Sequence, residues 1–372
     1  MKKIFVCSVL SSVFVLSACG FNNADSGDEE VNTASGNDNN EASADNTANE
    51  NNNTSEEDTS GAHEEAEIVL DMSLPEGRDT KNDAGASAFR EKLEELTDNE
   101  VSVNIHYSNA FGGEREVYEM MGQGTVDLAL QSSGPMGVFE EEMLVFDLPY
   151  IFEGKEHARG VLDGEIGEEL ADSFEEAANV KILSWIENGF VVIGSAGQDI
   201  EEISDLENYT IRVQESEVQI DTWEAVGANP TPMAWPEVYT ALQQGVIDGH
   251  DQAIMVLETG GFDEIQSSIT ITDARFVAAP ISMGADQFNS MSDEHQEALI
   301  EAAEYGRDVG RETIDQMEVD AMEYLENEGG QTIYEFTDEQ KEEYREMTQE
   351  VYDEWGPVIG EDLIERIQNF NQ

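Results

Sequence analysis

The chain has 372 residues, of which 83 are Asp or Glu and 17 are Lys or Arg, so its formal net charge at pH 7 is −66. This balance excludes a nucleic-acid binder, because phosphate contacts need a surplus of Lys and Arg. It also argues against docking on anionic lipid through a basic patch. With 39% hydrophobic residues the chain can still build a core, and its length suits about two average domains.

The first twenty residues have the pattern of an export signal. Met1-Lys2-Lys3 is followed by an apolar run from Ile4 to Ala18, which is too short for a transmembrane helix and typical of a secretory signal. The run ends in Leu16-Ser17-Ala18-Cys19-Gly20, which resembles the lipobox of bacterial lipoproteins. We therefore expect residues 1–18 to be a signal peptide and Cys19 to carry a lipid. The alternative is an ordinary signal peptide that happens to contain a cysteine.

The cysteine count agrees with this interpretation. The chain has two cysteines, and Cys7 lies inside the expected signal peptide, so the mature chain would keep Cys19 alone and form no internal disulfide. Two acyl chains anchor a protein durably, whereas one gives marginal binding. We expect the protein at the outer face of the cytoplasmic membrane, attached through its N-terminal lipid.

Residues 19–66 are expected to form a disordered acidic tether. The segment is almost free of apolar residues, holds 13 acidic residues and has no Lys or Arg, so it cannot bury enough surface to offset its chain entropy. The remaining body keeps 70 acidic and 15 basic residues, a charge of −55. We expect this charge on the outer surface rather than in a binding site. Such a surface suits a salt-loving or alkaline habitat, because salt screens it.

The body opens with alternating strand and helix patterns. Residues 67–72 predict a first strand, 84–96 carry apolar residues at helical spacing, and 101–107 alternate as a second strand. Strand and helix patterns continue to about residue 277, which indicates parallel α/β units.

The C-terminal part is predicted to be helical. A long helical pattern opens at Ser292 with acidic residues in its first turn and runs to about Asn327. Thr337 and Gln340 have capping-box spacing for a last helix into Trp355, which Gly356-Pro357 is expected to end.

A sequence pattern recurs at an offset of 121 residues. Glu116-Val117-Tyr118, followed by Gln123-Gly124 and Val126-Asp127, matches Glu237-Val238-Tyr239, followed by Gln244-Gly245 and Ile247-Asp248. Each copy predicts a helix, a glycine turn and the start of a strand. The repeat suggests two similar α/β lobes with a cleft at their strand ends, and chance similarity is the alternative.

Catalytic and metal motifs are weak. His63-Glu64-Glu65 lacks the second His of a zinc site, Gly194–Gly197 is not a nucleophile elbow, and Gly122–Gly124 lacks the third Gly of a dinucleotide loop. Paired carboxylates carry no information among 83 acidic residues. We expect no enzyme, no cofactor and no metal.

Nine motifs occur in an order that resembles the substrate-binding proteins of TRAP transporters, the DctP family. The resemblance runs from about Glu67 to beyond Arg311, and its motifs are Gly112–Glu116, Gly124–Leu128, Phe146–Tyr150, Val161–Gly164, Trp185–Phe190, Ile211–Val213, Gly227–Met233, Glu237–Gln243 and Gly245–Gly249. It implies a two-lobed periplasmic-binding-protein-like α/β fold, with a ligand cleft between the lobes and a long helix spanning both. It also implies a receptor that captures a small organic anion and delivers it to the TRAP membrane permease subunits.

The resemblance also gives domain limits. We expect lobe I to comprise residues 67–188 and 278–317, and lobe II with the C-terminal helices to comprise 189–277 and 318–372. We expect a monomer that binds no nucleic acid. A ligand-sensing surface lipoprotein without a transport role, or a cleft enzyme, are the alternative functions.

Arg212 is the main candidate for binding the ligand. It stands between Ile211 and Val213 on a predicted strand, so alternation directs it to the opposite face, and its planar guanidinium matches a carboxylate. The residues alone leave open a surface arginine paired with Glu207 or Glu215. In the family, the arginine of this motif binds the ligand carboxylate.

Other cleft residues follow from the resemblance. Trp235 falls where the family often has an aromatic residue against the ligand, and Asn188 and Ser132 lie at strand ends that line the family's cleft. Phe276 is expected in the second wall or in the core, and Arg78 lies near a ligand loop or on the surface.

The sequence departs from the family pattern at two places. Many relatives have an arginine, a second carboxylate contact, where Val191 stands. They often have Gln-Glu-Asn-Pro where His250-Asp251-Gln252-Ala253 stands, so we expect Gln252 to replace the Asn as an amide donor. One guanidinium favours a monocarboxylate, a sugar acid or a zwitterion such as ectoine over a dicarboxylate.

Overall fold

The computed structural model describes residues 66–370, which form one mixed sheet covered by helices. The signal peptide, Cys19 and almost all of the tether lie outside the described residues. The strands of this part are β1 Ile68–Ser73, β2 Val101–His106, β3 Leu128–Leu130, β4 Val180–Ser195, β5 Thr210–Val213, β6 Asn229–Pro232, β7 Gly249–Ala253, β8 Ser268–Gly284 and β9 Thr332–Glu335.

Helices pack against this sheet along the whole described chain. They are α1 Lys81–Leu96, α2 Glu114–Gly122, α3 Lys155–Leu162, α4 Glu165–Ala178, α5 Glu217–Ala225, α6 Trp235–Gln243, α7 Ile254–Thr259, α8 Ala285–Ser290, α9 Asp293–Tyr324, α10 Asp338–Met347, α11 Gln349–Ile359 and α12 Glu361–Gln368. No helix between residues 66 and 370 is long and apolar enough to span a bilayer.

The strand order is β2-β1-β3-β8-β4-β7-β5-β6, with β9 beside β8. Strands β2, β1 and β3 are parallel and form the first sheet half, and β7, β5 and β6 are parallel and form the second sheet half. The expected parallel units are therefore present at both ends of the sheet. The centre differs from the prediction, because β8 runs antiparallel to β3 and β4, and β4 antiparallel to β7.

The two central strands connect the sheet halves. Strand β4 has 16 residues and β8 has 17, and they pair along almost their whole length. The register between them shifts at Glu187/Gly189 and again at Phe190/Val192. Such bulges bend a strand and increase its twist, so the sheet changes direction where the two halves meet.

The long helix α9 contacts both parts of the fold. It crosses α1 closely at glycines, because a Cβ on Gly306 would lie 2.8 Å from the Gly85 carbonyl oxygen. At its other end, the Tyr324 hydroxyl donates to Asp263 at 2.9 Å, in the segment after α7. The helix has 32 residues and continues into a π-helical turn over Leu325–Gly329, which agrees with the predicted span.

The predicted C-terminal helix needs a correction. The Thr337 capping box is confirmed, with the Gln340 N–H donating to its hydroxyl at 3.3 Å. However, the helix breaks at Thr348 into α10 and α11, and Gly356-Pro357 does not end α11, which contains Pro357. Proline in a last turn removes only one backbone hydrogen bond, and the Gly360 N–H still bonds to the Gly356 carbonyl at 2.9 Å. Gly360, at φ 114°, ends the helix instead.

The internal repeat is confirmed by equivalent hydrogen bonds. In the first copy, α2 leads through a glycine turn to β3, and the Asp127 carboxylate accepts the Asp71 N–H of the neighbouring parallel strand at 2.8 Å. In the second copy, α6 leads to β7, and Asp248 accepts the Thr210 N–H at 2.8 Å. The repeated aspartate therefore has the same structural task in both sheet halves.

The negative charge of the body lies mainly at its surface. Among the acidic side chains of residues 66–370, three are buried, namely Asp147, Glu187 and Asp251. Each faces an arginine: Arg275 lies 3.5 Å from Asp147 and 2.7 Å from Asp251, and Arg159 lies 2.6 Å from Glu187. The charge expected on the surface is found there, because an unpaired carboxylate is costly to bury.

Candidate functional site

A pocket lies where the two sheet halves meet. Both halves and both central strands contribute to it. Its walls are formed by Pro75, Glu76, Glu114, Ser132, Asn188, Val191, Arg212, Gln214, Trp235, Asp251, Gln252, Arg275 and Val277. Five of the seven predicted ligand-binding residues are in this set, which places Arg212, Trp235, Gln252, Asn188 and Ser132 around one space.

Arg212 is held in the pocket by strand β5 and by one backbone contact. Its side chain lies on the face opposite Ile211 and Val213, is 3% exposed, and donates through Nε to the Met233 carbonyl at 2.9 Å. Within residues 66–370 no carboxylate lies within 4.0 Å of its guanidinium nitrogens. The predicted alternative of a surface ion pair with Glu207 or Glu215 is therefore absent from this part of the chain.

Burial leaves Arg212 charged but poorly solvated. Desolvation lowers its pKa to about 10, while the negative charges of Asp251 and Glu114 act in the opposite direction. The side chain remains cationic at neutral pH. A buried cation without a bound anion is an attractive site for an incoming carboxylate, which matches the planar fork of donors.

An aromatic wall stands beside Arg212. The guanidinium carbon lies 5.9 Å from the centre of the Trp235 ring, and that ring packs against Phe262 at 5.4 Å and His250 at 6.1 Å. His250 is fully buried, and burial followed by the charge of Arg212 lowers its pKa to about 3. The imidazole is therefore neutral at pH 7 and adds no charge to the pocket.

Glu114, Ser132 and Gln214 form a polar contact across the pocket. The backbone N–H and the hydroxyl of Ser132 each donate to the Glu114 carboxylate at 2.8 Å. The Gln214 amide, which follows β5 in the second sheet half, donates to the Ser132 hydroxyl at 2.7 Å. This contact directly joins the two sides of the pocket.

A second buried arginine lies on β8. Arg275 donates to Asp251 at 2.7 and 3.2 Å, to Asp147 at 3.5 Å and to the Gln214 amide oxygen at 3.3 Å. Burial acts to lower the pKa of Arg275, but Asp251 and Asp147 together raise it. The second guanidinium is thus already neutralised by protein carboxylates, whereas Arg212 has no such partner in the described part of the chain.

Two predicted residues lie away from the pocket walls. Phe276 is 1% exposed and packs in the core against Phe190 at 5.4 Å and Phe152 at 5.5 Å. Its neighbours Arg275 and Val277 face the pocket instead, because successive residues of a strand point to opposite faces. Arg78 is exposed, and its guanidinium stacks over the Tyr107 ring at 4.7 Å.

The sequence reasoning missed five polar residues of the pocket: Glu76, Glu114, Gln214, Asp251 and Arg275. Glu114 stands in a recognised motif, and Gln214 is two positions after Arg212 on the same alternating pattern, so both had a local signal. The signal for Arg275 was weaker. Arg275 and Phe276 are neighbours on β8 and point to opposite faces, so alternation identifies Arg275 only if the face opposite Phe276 is known to line the pocket.

The fold and the pocket together define a two-lobed solute-binding protein. The profile of the bacterial extracellular solute-binding protein family 7 (DctP) matches residues 73–356, and the chain belongs to this family.

Relatives and solved structures agree with this assignment. A solute-binding protein of Verminephrobacter eiseniae is 32% identical over 264 residues, which are 71% of this chain and 78% of that protein. A TRAP periplasmic solute-binding protein from Polaromonas sp. JS666 bound to D-erythronate has a TM-score of 0.79 at 30% identity, covering 82% of this chain and 99% of that one. A similar protein from Sulfurospirillum deleyianum with bound succinate has a TM-score of 0.76 at 29% identity, covering 82% and 100%. The expected two-lobed α/β fold with its long helix is confirmed.

Proposed function

We propose that this protein is the extracytoplasmic receptor of a TRAP-type secondary transporter and binds a small solute bearing a carboxylate. The observation that carries the proposal is Arg212, a buried guanidinium in an interlobe pocket with no carboxylate partner between residues 66 and 370. Sugar acids, other monocarboxylates, C4-dicarboxylates and ectoine-like zwitterions each bring a group that would neutralise it. The protein would act by binding and release, without catalysis.

The lobes would close around the ligand by bending at the central strands. We assign residues 67–188 and 278–317 to lobe I, and 189–277 and 318–372 to lobe II with the C-terminal helices. The bulges of β4 near Glu187 and Phe190 lie at this boundary and support it. The bond between Gln214 and Ser132 is a contact that closure would make and opening would break. Solution scattering should give a smaller radius of gyration with ligand than without it, and an unchanged radius would contradict hinge closure.

The N-terminus would hold the receptor at the membrane. Residues 1–18 would be removed, Cys19 would carry the lipid, and residues 19–66 would separate the body from the outer face of the cytoplasmic membrane. The body would be a monomer that presents its ligand to the permease subunits. A Cys19→Ala variant should be recovered from the medium or periplasm instead of the membrane fraction. Retention of that variant in the membrane fraction would refute the anchor.

Mass spectrometry of ligand carried through purification tests the function most directly. The full-length protein, extracted in detergent and denatured after purification, should release a small organic acid at close to one equivalent. An Arg212→Gln variant should release little. Arg366→Gln is the matched control, because Arg366 forms an exposed pair with Glu169 on α12. Equal release from wild type and the Arg212→Gln variant would refute the assignment.

A further inference from the structure

Strand β4 and helix α9 cross the proposed lobe boundary in contact with each other. By the limits given above, β4 crosses it between Asn188 and Gly189, and α9 crosses it between Met317 and Glu318. Gly189 has a φ of 89°, and a Cβ on it would lie 2.8 Å from Oε1 of Glu318. Because the two crossings touch, the strand cannot bend at this point without moving against the helix.

Two carboxylates of α9 flank the boundary and share one ammonium. Asp315 and Glu318 are three residues apart, so they lie on the same face of the helix. Lys155 of α3 donates to Asp315 at 2.8 Å and also to Glu318. The side chains of Lys155 and Glu318 are 25% and 24% exposed, so this pair is partly shielded from water. We call Lys155, Asp315 and Glu318 the hinge clamp.

Helix α3 is held firmly to the lobe I side of the boundary. Arg159, one turn after the clamp ammonium, donates to Glu187 of β4 at 2.9 and 2.6 Å and to Asp315 at 3.0 and 2.9 Å. Arg311 of α9 donates to the Trp185 carbonyl at 2.8 Å. All of these residues belong to the proposed lobe I, and Glu187 is fully buried. The clamp ammonium therefore projects from a fixed base toward the first lobe II residue of α9.

The clamp is formed in the conformation in which the lobes touch. In the same structure Gln214 donates to Ser132 across the pocket at 2.7 Å. Helix α9 also contains a local cause of bending just before the clamp, because the Thr313 hydroxyl donates to the Val309 carbonyl at 2.9 Å, and such bonds often bend helices. A change of bend between residues 315 and 318 moves the two carboxylates apart, so that one ammonium no longer reaches both. The clamp therefore opposes opening.

We propose that Glu318 is a positioning residue for lobe closure, and that its ion pair with Lys155 stabilises the closed arrangement from outside the pocket. This inference rests on the hinge closure proposed for the receptor. Glu318 lies on α9 and not in the pocket wall, so it acts on binding only through the balance between open and closed lobes.

Distances between spin labels on the two lobes test the proposal. Ala110→Cys in lobe I and Glu258→Cys in lobe II place labels at exposed positions, and their neighbours Asn109 and Thr259 line a cavity between the lobes that adjoins the pocket. The two native cysteines are replaced by serine so that no other site is labelled. In ligand-free full-length protein, double electron–electron resonance should show a closed and an open distance. Glu318→Gln should lower the closed-to-open ratio at least threefold.

Two further variants make the result specific to the clamp. Lys155→Met should lower the ratio in the same direction, and it decides the test if thermal melting shows that Glu318→Gln fails to fold. Glu175→Gln is the matched control, because the Lys181–Glu175 pair has a similar exposure of 26% and 28%, lies at 2.8 Å and stays within lobe I. The control should leave the ratio unchanged.

A closed-to-open ratio that stays constant or rises in the folded clamp variants would overturn the proposal. So would a fall of equal size in Glu175→Gln. Release of an organic acid from the denatured wild-type protein is measured separately. Its absence would overturn the receptor function, while the label distances would still decide whether the clamp holds the lobes together.

Discussion

Replacing Arg212 by methionine should make the ligand-free protein more stable while it abolishes tight binding. The two effects have opposite signs because the same buried charge that attracts the ligand is unfavourable without it. Methionine removes the charge and keeps an unbranched side chain of similar reach, so the change leaves a smaller cavity than alanine would.

The stability effect follows from the pKa of Arg212. Burial lowers that pKa to about 10, and at about 1.4 kcal/mol per pKa unit the charged side chain costs the folded state roughly 3 kcal/mol. At pH 7.5 arginine is charged in both the folded and unfolded states, so the full cost is present; it decreases only as pH rises above about 10. The variant also loses the hydrogen bond from Nε of Arg212 to the Met233 carbonyl at 2.9 Å, and this loss offsets about 1 kcal/mol of the gain. The net gain should be about 2 kcal/mol.

The binding effect is larger and of opposite sign. Removing one partner of a buried, hydrogen-bonded charge pair costs about 2–5 kcal/mol, which corresponds to roughly a 30-fold to several-thousand-fold weaker affinity. Most of this loss arises because the ligand carboxylate would remain buried without a cation.

Urea unfolding and calorimetry measure both effects on the same preparation. The ligand-free Arg212→Met variant should unfold at higher urea than ligand-free wild type, and it should bind the released wild-type ligand weakly or not at all. Arg366→Met is the control, because the Arg366–Glu169 pair is exposed and should change neither property much. A variant that is less stable than ligand-free wild type and still binds normally would refute the reasoning about Arg212.

Trp235→Ala should weaken ligand binding roughly tenfold by removing the ring beside Arg212, and calorimetry that shows no change would place Trp235 in a purely structural role. Asp248→Ala should cost about 1–3 kcal/mol of unfolding free energy, because the Thr210 N–H loses its acceptor, and a neutral result in urea unfolding would contradict the task assigned to the repeated aspartate. The melting temperature should rise from low salt to 1 M NaCl, where the Debye length is roughly 3 Å and repulsion among surface carboxylates is screened. A melting temperature that falls or stays constant would count against an acidic surface adapted to salt.

Local sequence patterns were sufficient for features that depend on neighbouring residues. The predicted first and second strands and the long helix match β1, β2 and α9 closely. The side chain of Arg212 was placed correctly because it depends only on alternation within β5. The capping box at Thr337 is another local interaction, between residues three positions apart. The repeated helix–glycine–strand unit identified the two parallel sheet halves.

Features that depend on distant residues could not be read locally. The antiparallel pairing of β4 with β8 joins segments about ninety residues apart, and both are buried on two faces, so their apolar runs carry no signal of direction. For the same reason the sequence left Phe276 open between the pocket wall and the core and gave no prediction for Arg275, because the partner strands of β8 decide which of its sides faces the pocket. Gly356-Pro357 was expected to end the last helix. The helix continues past Pro357, because the Gly360 N–H still bonds to the Gly356 carbonyl and completes its last turn.

The sequence by itself determined the family, the order of the elements and the residue best suited to bind a carboxylate. Only the tertiary structure decided which charges meet. Within residues 66–370 it gave Arg275 two carboxylates as partners, left Arg212 without one, and left oxygens of Glu76, Asn188 and Asp251 without donors. The reason is physical, because ion pairing and hydrogen bonding act over a few ångströms between residues far apart in the chain, and no local pattern records those distances.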